Sequence, residues 1–214
     1  MPKIAPFNQH FQQYEDWFEE HKFVYLSELK AIKHFIPEQG KGVEIGIGTG
    51  RFAKPLGIHF GIDPSEEMRK IARTKGLEVI DAVAEDLPFE EQEFSYALMV
   101  TTICFLDDIH AAFQEVYRIL QPEGLFIIGF VDKNSPLGER YLQFKHENVF
   151  YKHATFYSTE EVLRLLADHH FTNTEIIQTV FGSLSDIQSV QPFKKGFGEG
   201  GFVVIKAEKR VTTD

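Results

Sequence analysis

Three glycines at alternate positions, Gly46, Gly48 and Gly50, close a short run of β-branched residues, Val43, Ile45 and Ile47. Without Cβ atoms the chain can turn tightly there and let a ligand touch the backbone. The amides that open the following helix are free donors. The same alternation of strand and helix continues downstream. Ile58, Phe60 and Ile62 predict a second strand ending at Asp63, and Ser65 can cap a helix running to about Lys75, where Gly76 stops it. Leu77 to Ile80 predict a third strand and Phe94 to Val100 a fourth. Asp107 or Asp108 can cap a helix carrying Ile109, Phe113, Val116, Tyr117 and Leu120; the turn Gln121-Pro122-Glu123-Gly124 leads to a fifth strand, Leu125 to Val131. Apolar strands alternating with helices predict a parallel sheet covered on both faces. Ligands of such sheets bind beyond the carboxyl ends of the strands, where the strand order reverses.

The flanking segments differ. Phe7, Phe11, Tyr14 and Phe18, then Tyr25, Leu29, Ile32 and Ile36, keep helical spacing over 7–36 until Pro37 and Gly40 end it. Residues 132–157 are aromatic and polar, with no clear period. Ser158-Thr159-Glu160-Glu161 is a capping box, opening a helix with Val162, Leu165 and Leu166 on one face. Ile176 to Phe181 and Phe202 to Ala207 predict two last strands, joined by a loop over 182–201.

Composition excludes several classes. Lys and Arg number 22 against 32 Asp and Glu, a formal charge of −10. Nucleic acid and anionic membranes both require a basic face, so neither is expected as a partner. A single cysteine, Cys104, permits no intramolecular disulfide and no four-cysteine zinc site, and it fits a reducing cytoplasm. The first residues show no basic start followed by an apolar run, so a secretory signal is not expected. The longest apolar stretch, Gly124 to Val131, is far short of the roughly 20 residues that span a bilayer. None of the nine histidines shows a metal-ligand spacing, so no metal is expected.

The glycine loop is more specific than a tight turn. A dinucleotide fingerprint G-x-G-x-x-G would place its third glycine at Arg51 or Ala53, and a Walker loop would need Lys and Ser/Thr after its last glycine. The pattern is instead E-x-G-x-G-x-G, led by Glu44. Asp63, at the end of the second strand, can accept hydrogen bonds from two vicinal ribose hydroxyls. Ala84, Glu85 and Leu87-Pro88-Phe89 follow the third strand, and Arg118-Ile119-Leu120-Gln121-Pro122-Glu123-Gly124 precedes the fifth. In these motifs, over about 40–131, the chain resembles the class I S-adenosylmethionine-dependent methyltransferases, and most of all a small-molecule branch related to quinone-biosynthesis C-methyltransferases. Val83 and Ser95 depart from the family pattern, each standing where an acid is usual.

The resemblance implies a Rossmann-like α/β three-layer sandwich, with a mostly parallel seven-stranded sheet, an antiparallel last strand and N-terminal helices. It implies a single domain over 1–214: a helical lid at 1–40, a cofactor-binding core at 41–131, an acceptor segment at 132–157, and a closing helix and strands at 158–214. Gly46, Gly48, Thr49 and Gly50 would wrap the methionine and ribose of S-adenosylmethionine, with Glu44 near the ammonium. Asp63 and Pro64 would meet the ribose, Met68, Ala84 and Glu85 the adenine, and Thr101 the methionine. Tyr14 and Trp17 would fold over the cofactor. Transfer to a small-molecule acceptor by in-line displacement would leave S-adenosylhomocysteine, and if a base is needed its candidates are Asp132, His146 and His153. Among the 21 phenylalanines, Phe52, Phe60 and Phe94 belong by pattern to the sheet and its helices, whereas Phe144, Phe150 and Phe156 fall in the acceptor segment. Two other readings stay open: a non-catalytic module binding the same cofactor or its product, and a nicotinamide-dependent oxidoreductase, against which Arg51 and Ala53 weigh. A monomer and a homodimer are both compatible with the sequence.

Overall fold

Helices begin in this protein where a side chain can take the orphan amides of a first turn. The structure, a computed structural model, describes residues 4–211; residues 1–3 and 212–214, the two ends of the expected domain, lie outside it. Ser65 accepts from the Met68 amide at the head of α5 (Glu66–Thr74). Asp108, rather than Asp107, accepts from the His110 and Ala111 amides at the head of α6 (Ile109–Ile119). Ser158 and Glu161 form the expected reciprocal capping box of α8 (Thr159–Asp168).

The expected helix over 7–36 is three pieces: α1 (Ala5–Gln9), α2 (Phe11–Glu20) and α3 (Lys22–Lys33). The backbone leaves the helical region at His10 and again at His21, so the axis turns twice. The His21 ring is held there, stacked on Trp17 with centroids 4.9 Å apart.

The strands are β1 (Gly42–Ile45), β2 (Phe60–Ile62), β3 (Glu78–Ile80), β4 (Phe94–Val100), β5 (Leu120–Val131), β6 (Phe171–Thr179), β7 (Lys194–Lys195) and β8 (Phe202–Lys209). A one-turn α4 (Ala53–Leu56) follows β1, and α7 (Pro136–Gln143) follows β5. They form one sheet in the order β3-β2-β1-β4-β5-β8-β6-β7. The first five strands are parallel, with Val43 opposite both Phe60 and Ala97. The last strand, β8, runs antiparallel to β5 and β6, as expected. The sheet has eight strands instead of seven, because two residues of the 182–201 loop pair with β6 as β7. The expected turn before strand five lies inside β5. There Glu123 takes φ +62° and the pairing with β4 slips between Phe94 and Tyr96.

Side chains alternate across the sheet, as the pleat requires. On β4, Ala97 and Met99 pack toward α6 and α8 whereas Tyr96, Leu98 and Val100 pack toward α3 and α5; Phe94, before the register slip, joins the Ala97 face and breaks the alternation. Phe126 and Ile127 of β5 divide in the same way. These are three layers with both sheet faces covered. Strand order reverses between β1 and β4, so their carboxyl ends frame the crevice where a ligand belongs. Ser158→Ala removes the acceptor for the Glu161 amide. It should lower stability by about 1 kcal/mol in urea denaturation while leaving that crevice intact.

Candidate cofactor and acceptor site

After β1 the backbone enters the left-handed region three times, at Gly46 (φ +74°), Gly48 (φ +55°) and Gly50 (φ +79°). Side chains resist that conformation, and space here forbids them as well. A Cβ on Gly46 would lie 2.5 Å from Thr102 Oγ1, and one on Gly50 would collide with Leu77. Gly48 differs: its Cβ would point at the Tyr14 hydroxyl, 3.1 Å away. Asp63 ties this loop to the next strand. One carboxylate oxygen accepts from the Gly48 amide at 2.8 Å and the other from the Ser65 amide at 2.8 Å. Burial nevertheless pushes the Asp63 carboxyl up to about 6, the two amides only partly offsetting it.

Helix α2 lies over the loop and is bonded to it. The buried Thr49 hydroxyl donates to Glu15, and Arg51 donates to Glu15 at 2.6 Å and to Glu19 at 2.9 Å. The Tyr25 hydroxyl of α3 donates to the Arg51 carbonyl at 2.6 Å. Burial opposes ionisation of Glu15, but Arg51 and Thr49 still hold its carboxyl below the ordinary range. Nothing in the local sequence marked Glu15, because its partners stand more than thirty residues away.

Between these elements lies a cavity of about 470 Å³, within the usual size of small-molecule sites. One end is lined by Gly46, Gly48, Asp63, Pro64 and Met68. Ala84, Glu85 and Thr101 continue that wall, with Tyr14 and Trp17 on the side of α2. Glu85 also steadies the loop after β4, accepting from the Asp107 amide at 2.8 Å and the Asp108 amide at 3.2 Å. Glu44, Thr49 and Gly50 stand behind the lining. One Glu44 oxygen is buried without a hydrogen-bond partner while the carboxyl meets the Ala53 amide, and burial holds its proton affinity well above normal.

The other end of the cavity is aromatic. Tyr141, Phe150 and Tyr151, from the expected acceptor segment, line it. Phe156 is buried beneath Tyr141 and Tyr151. Phe144 is exposed, and Phe52, expected only in the packing of the sheet, lies on the cavity wall. None of the three expected base candidates lines the cavity. Asp132 is buried at the end of β5, its carboxylate accepting from the Asn134 amide and the Thr159 hydroxyl. His146 and His153 are exposed on single 3₁₀ turns. The wall has instead a carboxyl that the sequence reading missed, Glu28 on α3, 5% exposed. Its spacing was a usable signal: four residues after Val24 and four before Ile32, it sits on the buried stripe of the helix. Among the described residues, no group of three or more His, Cys, Asp or Glu could hold a metal, and no helix is long and apolar enough to cross a membrane.

A family model described as a methyltransferase domain matches residues 43–128. A crystal structure from Thermotoga maritima, described as an S-adenosylmethionine-dependent methyltransferase and possible histamine N-methyltransferase, superposes with a TM-score of 0.95 at 48% identity, covering 97% of this chain and 100% of that one. This chain belongs to the S-adenosylmethionine-dependent methyltransferases. Two further relatives of the methyltransferase bracket the family. An uncharacterized protein of Methanocaldococcus jannaschii is 43% identical over 95% of this chain and 98% of its own length. The demethylmenaquinone methyltransferase of Staphylococcus carnosus is 26% identical over 51% of this chain and 50% of its own. The cofactor of the methyltransferase is S-adenosylmethionine, and the residues fit it. A buried, half-unpaired Glu44 carboxyl suits a cation near the loop, and Asp63 keeps lone pairs for hydroxyl donors.

Burial alone pushes the Glu28 carboxyl up to about 8, from an ordinary 4.5. A carboxyl that binds its proton more tightly in the folded chain stabilises the fold fully below its ordinary value. That contribution is lost as the pH rises through the folded one. Between pH 4.5 and 8 the melting temperature of the wild type should therefore fall more steeply than that of Glu28→Gln. Parallel thermal-unfolding profiles would contradict a buried, unpaired Glu28.

Proposed function

We propose that the methyltransferase acts on a small-molecule acceptor held at the aromatic end of the same cavity that binds the cofactor. The observation that carries this reading is the continuity of that cavity from Asp63 and Gly48 to Tyr141 and Tyr151. When bound, S-adenosylmethionine supplies an electrophilic methyl group on a sulfonium centre with a neutral thioether as leaving group. The chain's own work is alignment and exclusion of water. Asp63 would fix the ribose, the Gly46–Gly50 loop would offer close backbone contact, and Glu44, behind that loop, would sit near the ammonium. Met68, Ala84 and Glu85 would border the adenine, and Thr101 the methionine. Tyr14 and Trp17, on a helix bonded to the loop through Glu15, act as the lid in this reading. In-line attack from the aromatic end needs no base when the acceptor arrives deprotonated.

The relative from Thermotoga maritima supports a small organic nucleophile as acceptor. Likeness to the quinone-pathway enzyme spans only half of each chain, so the acceptor is argued from the cavity instead. We read the chain as one domain, with 1–40 as lid, 41–131 as cofactor core, 132–157 as acceptor segment and 158–214 as the closing unit. The charge of −10 keeps nucleic acid off the list of acceptors, and a single cysteine suits the cytoplasm; the protein is taken to work as a monomer or homodimer.

Calorimetric titration tests the cofactor end. Asp63→Ala should weaken S-adenosylhomocysteine binding by about 100-fold, two hydrogen bonds to a charged acceptor being lost. Unchanged affinity would remove Asp63 from the site. Because a protonated Asp63 accepts poorly, wild-type affinity should also fall as the pH drops through about 6, and Asp63→Asn should flatten that profile.

A further inference from the structure

Glu28 is the unexplained group in the cavity. It is buried on α3 and lines the aromatic end, yet among the described residues no hydrogen bond or ion pair reaches its carboxyl. A buried carboxyl normally has a cation or several donors beside it, because burying it alone is costly. The titratable and charged groups lining the cavity with it are Tyr14, His21, Asp63, Glu85, Asp107, Arg140, Tyr141 and Tyr151; the two nearest in effect are Tyr141 on α7 and Tyr151 on its 3₁₀ turn. The Glu28 charge is felt at both tyrosines, and with burial as the leading cause their hydroxyls stay protonated far above neutral pH. Burial alone raises the proton affinity of Glu28. The cavity around it is aromatic: Tyr141 and Tyr151, which feel its charge, stack with centroids 5.0 Å apart, and Trp17, Phe18 and Phe150 line the same cavity. A lone carboxyl in an aromatic-lined cavity favours an organic cation over an anion or a neutral hydrocarbon.

We propose that this chamber receives the amino group of a small amine acceptor, with the Glu28 carboxylate as its ion-pair partner and its proton acceptor. The inference rests on the reading that the acceptor occupies the aromatic end of the cavity. An amine can attack a methyl group only through a free lone pair, so the ammonium form must first lose a proton. One N–H bond breaks, its electron pair stays on nitrogen, and one O–H bond forms on Glu28. Nothing is oxidised or reduced. Burial, which pushes the empty Glu28 up to about 8, brings the carboxyl closer in proton affinity to an amine and so makes the transfer easier.

The pairing has a proton signature that does not depend on which atom holds the proton. Near pH 7 the empty chamber carries a protonated Glu28 and the free amine is an ammonium, whereas the complex holds one shared proton between them. Binding must therefore release up to one proton per amine. The test uses the full chain saturated with S-adenosylhomocysteine. Benzylamine, phenethylamine and tryptamine are each compared with the alcohol of the same skeleton, by calorimetry in buffers of different ionisation enthalpy. At least one amine should bind 10-fold or more tighter than its alcohol, with proton release at pH 7. In Glu28→Gln both the preference and the release should vanish, while affinities for S-adenosylhomocysteine and the alcohols stay within twofold. A general loss of packing would weaken the alcohols as well. Saturation by S-adenosylhomocysteine with no amine preference, or a preference that survives in Glu28→Gln, overturns the inference alone. Failure of the wild type to bind S-adenosylhomocysteine overturns the cofactor reading and the inference with it. If Glu28→Gln does not fold, the wild-type comparison and its proton count still decide.

Discussion

The Asp63 carboxylate is the joint on which the site depends. Its two oxygens take amides from two neighbouring segments, Gly48 in the loop after β1 and Ser65 at the head of α5. That bridge sets the distance between the glycine loop and the second strand before any ligand arrives. The left-handed turns of the loop are possible only because Gly46 and Gly50 leave room for Thr102 and Leu77. Arg51, just past the loop, then carries the ion pairs that bring α2 down. Helix α2, the loop and the strand end are thus linked through hydrogen bonds to carboxylates, the stronger kind.

Most of this joint was legible in the chain. Alternate glycines after a β-branched run, an acid at the end of the next strand, and a serine two residues on are local signals, and each does locally what its chemistry implies. The fourth strand ends where its apolar run ends, because a strand buried on both faces has no polar register to blur it. What was not legible is long-range or very short. Glu15 finds Arg51 across 36 residues. The two residues of β7 are too few for any period, and the bulge within β5 reads as a plain turn because its Pro and Gly are turn residues.

The aromatic end of the cavity shows a different limit. Residue type drew attention to Asp132, His146 and His153, but a side chain can act on a ligand only if the fold leaves it unspent and facing the cavity. Asp132 is occupied in holding the turn after β5 to Thr159, and the two histidines face solvent. Glu28 satisfies both conditions from within a helix whose spacing reads as ordinary core. A charged residue on the apolar stripe of a helix is therefore more informative than a histidine in an aromatic loop.

The ends of the sheet bear on how this protein behaves in a crowded solution. An unpaired strand edge presents a row of bare amides and carbonyls that another chain can extend. Here β3 closes one edge with three residues, led by the exposed Glu78. On the other edge, β7 shields β6 with two exposed lysines. The short strand that enlarges the sheet also terminates it, so the eight-stranded sheet offers an incoming strand little backbone to pair with and a charged side chain at each end.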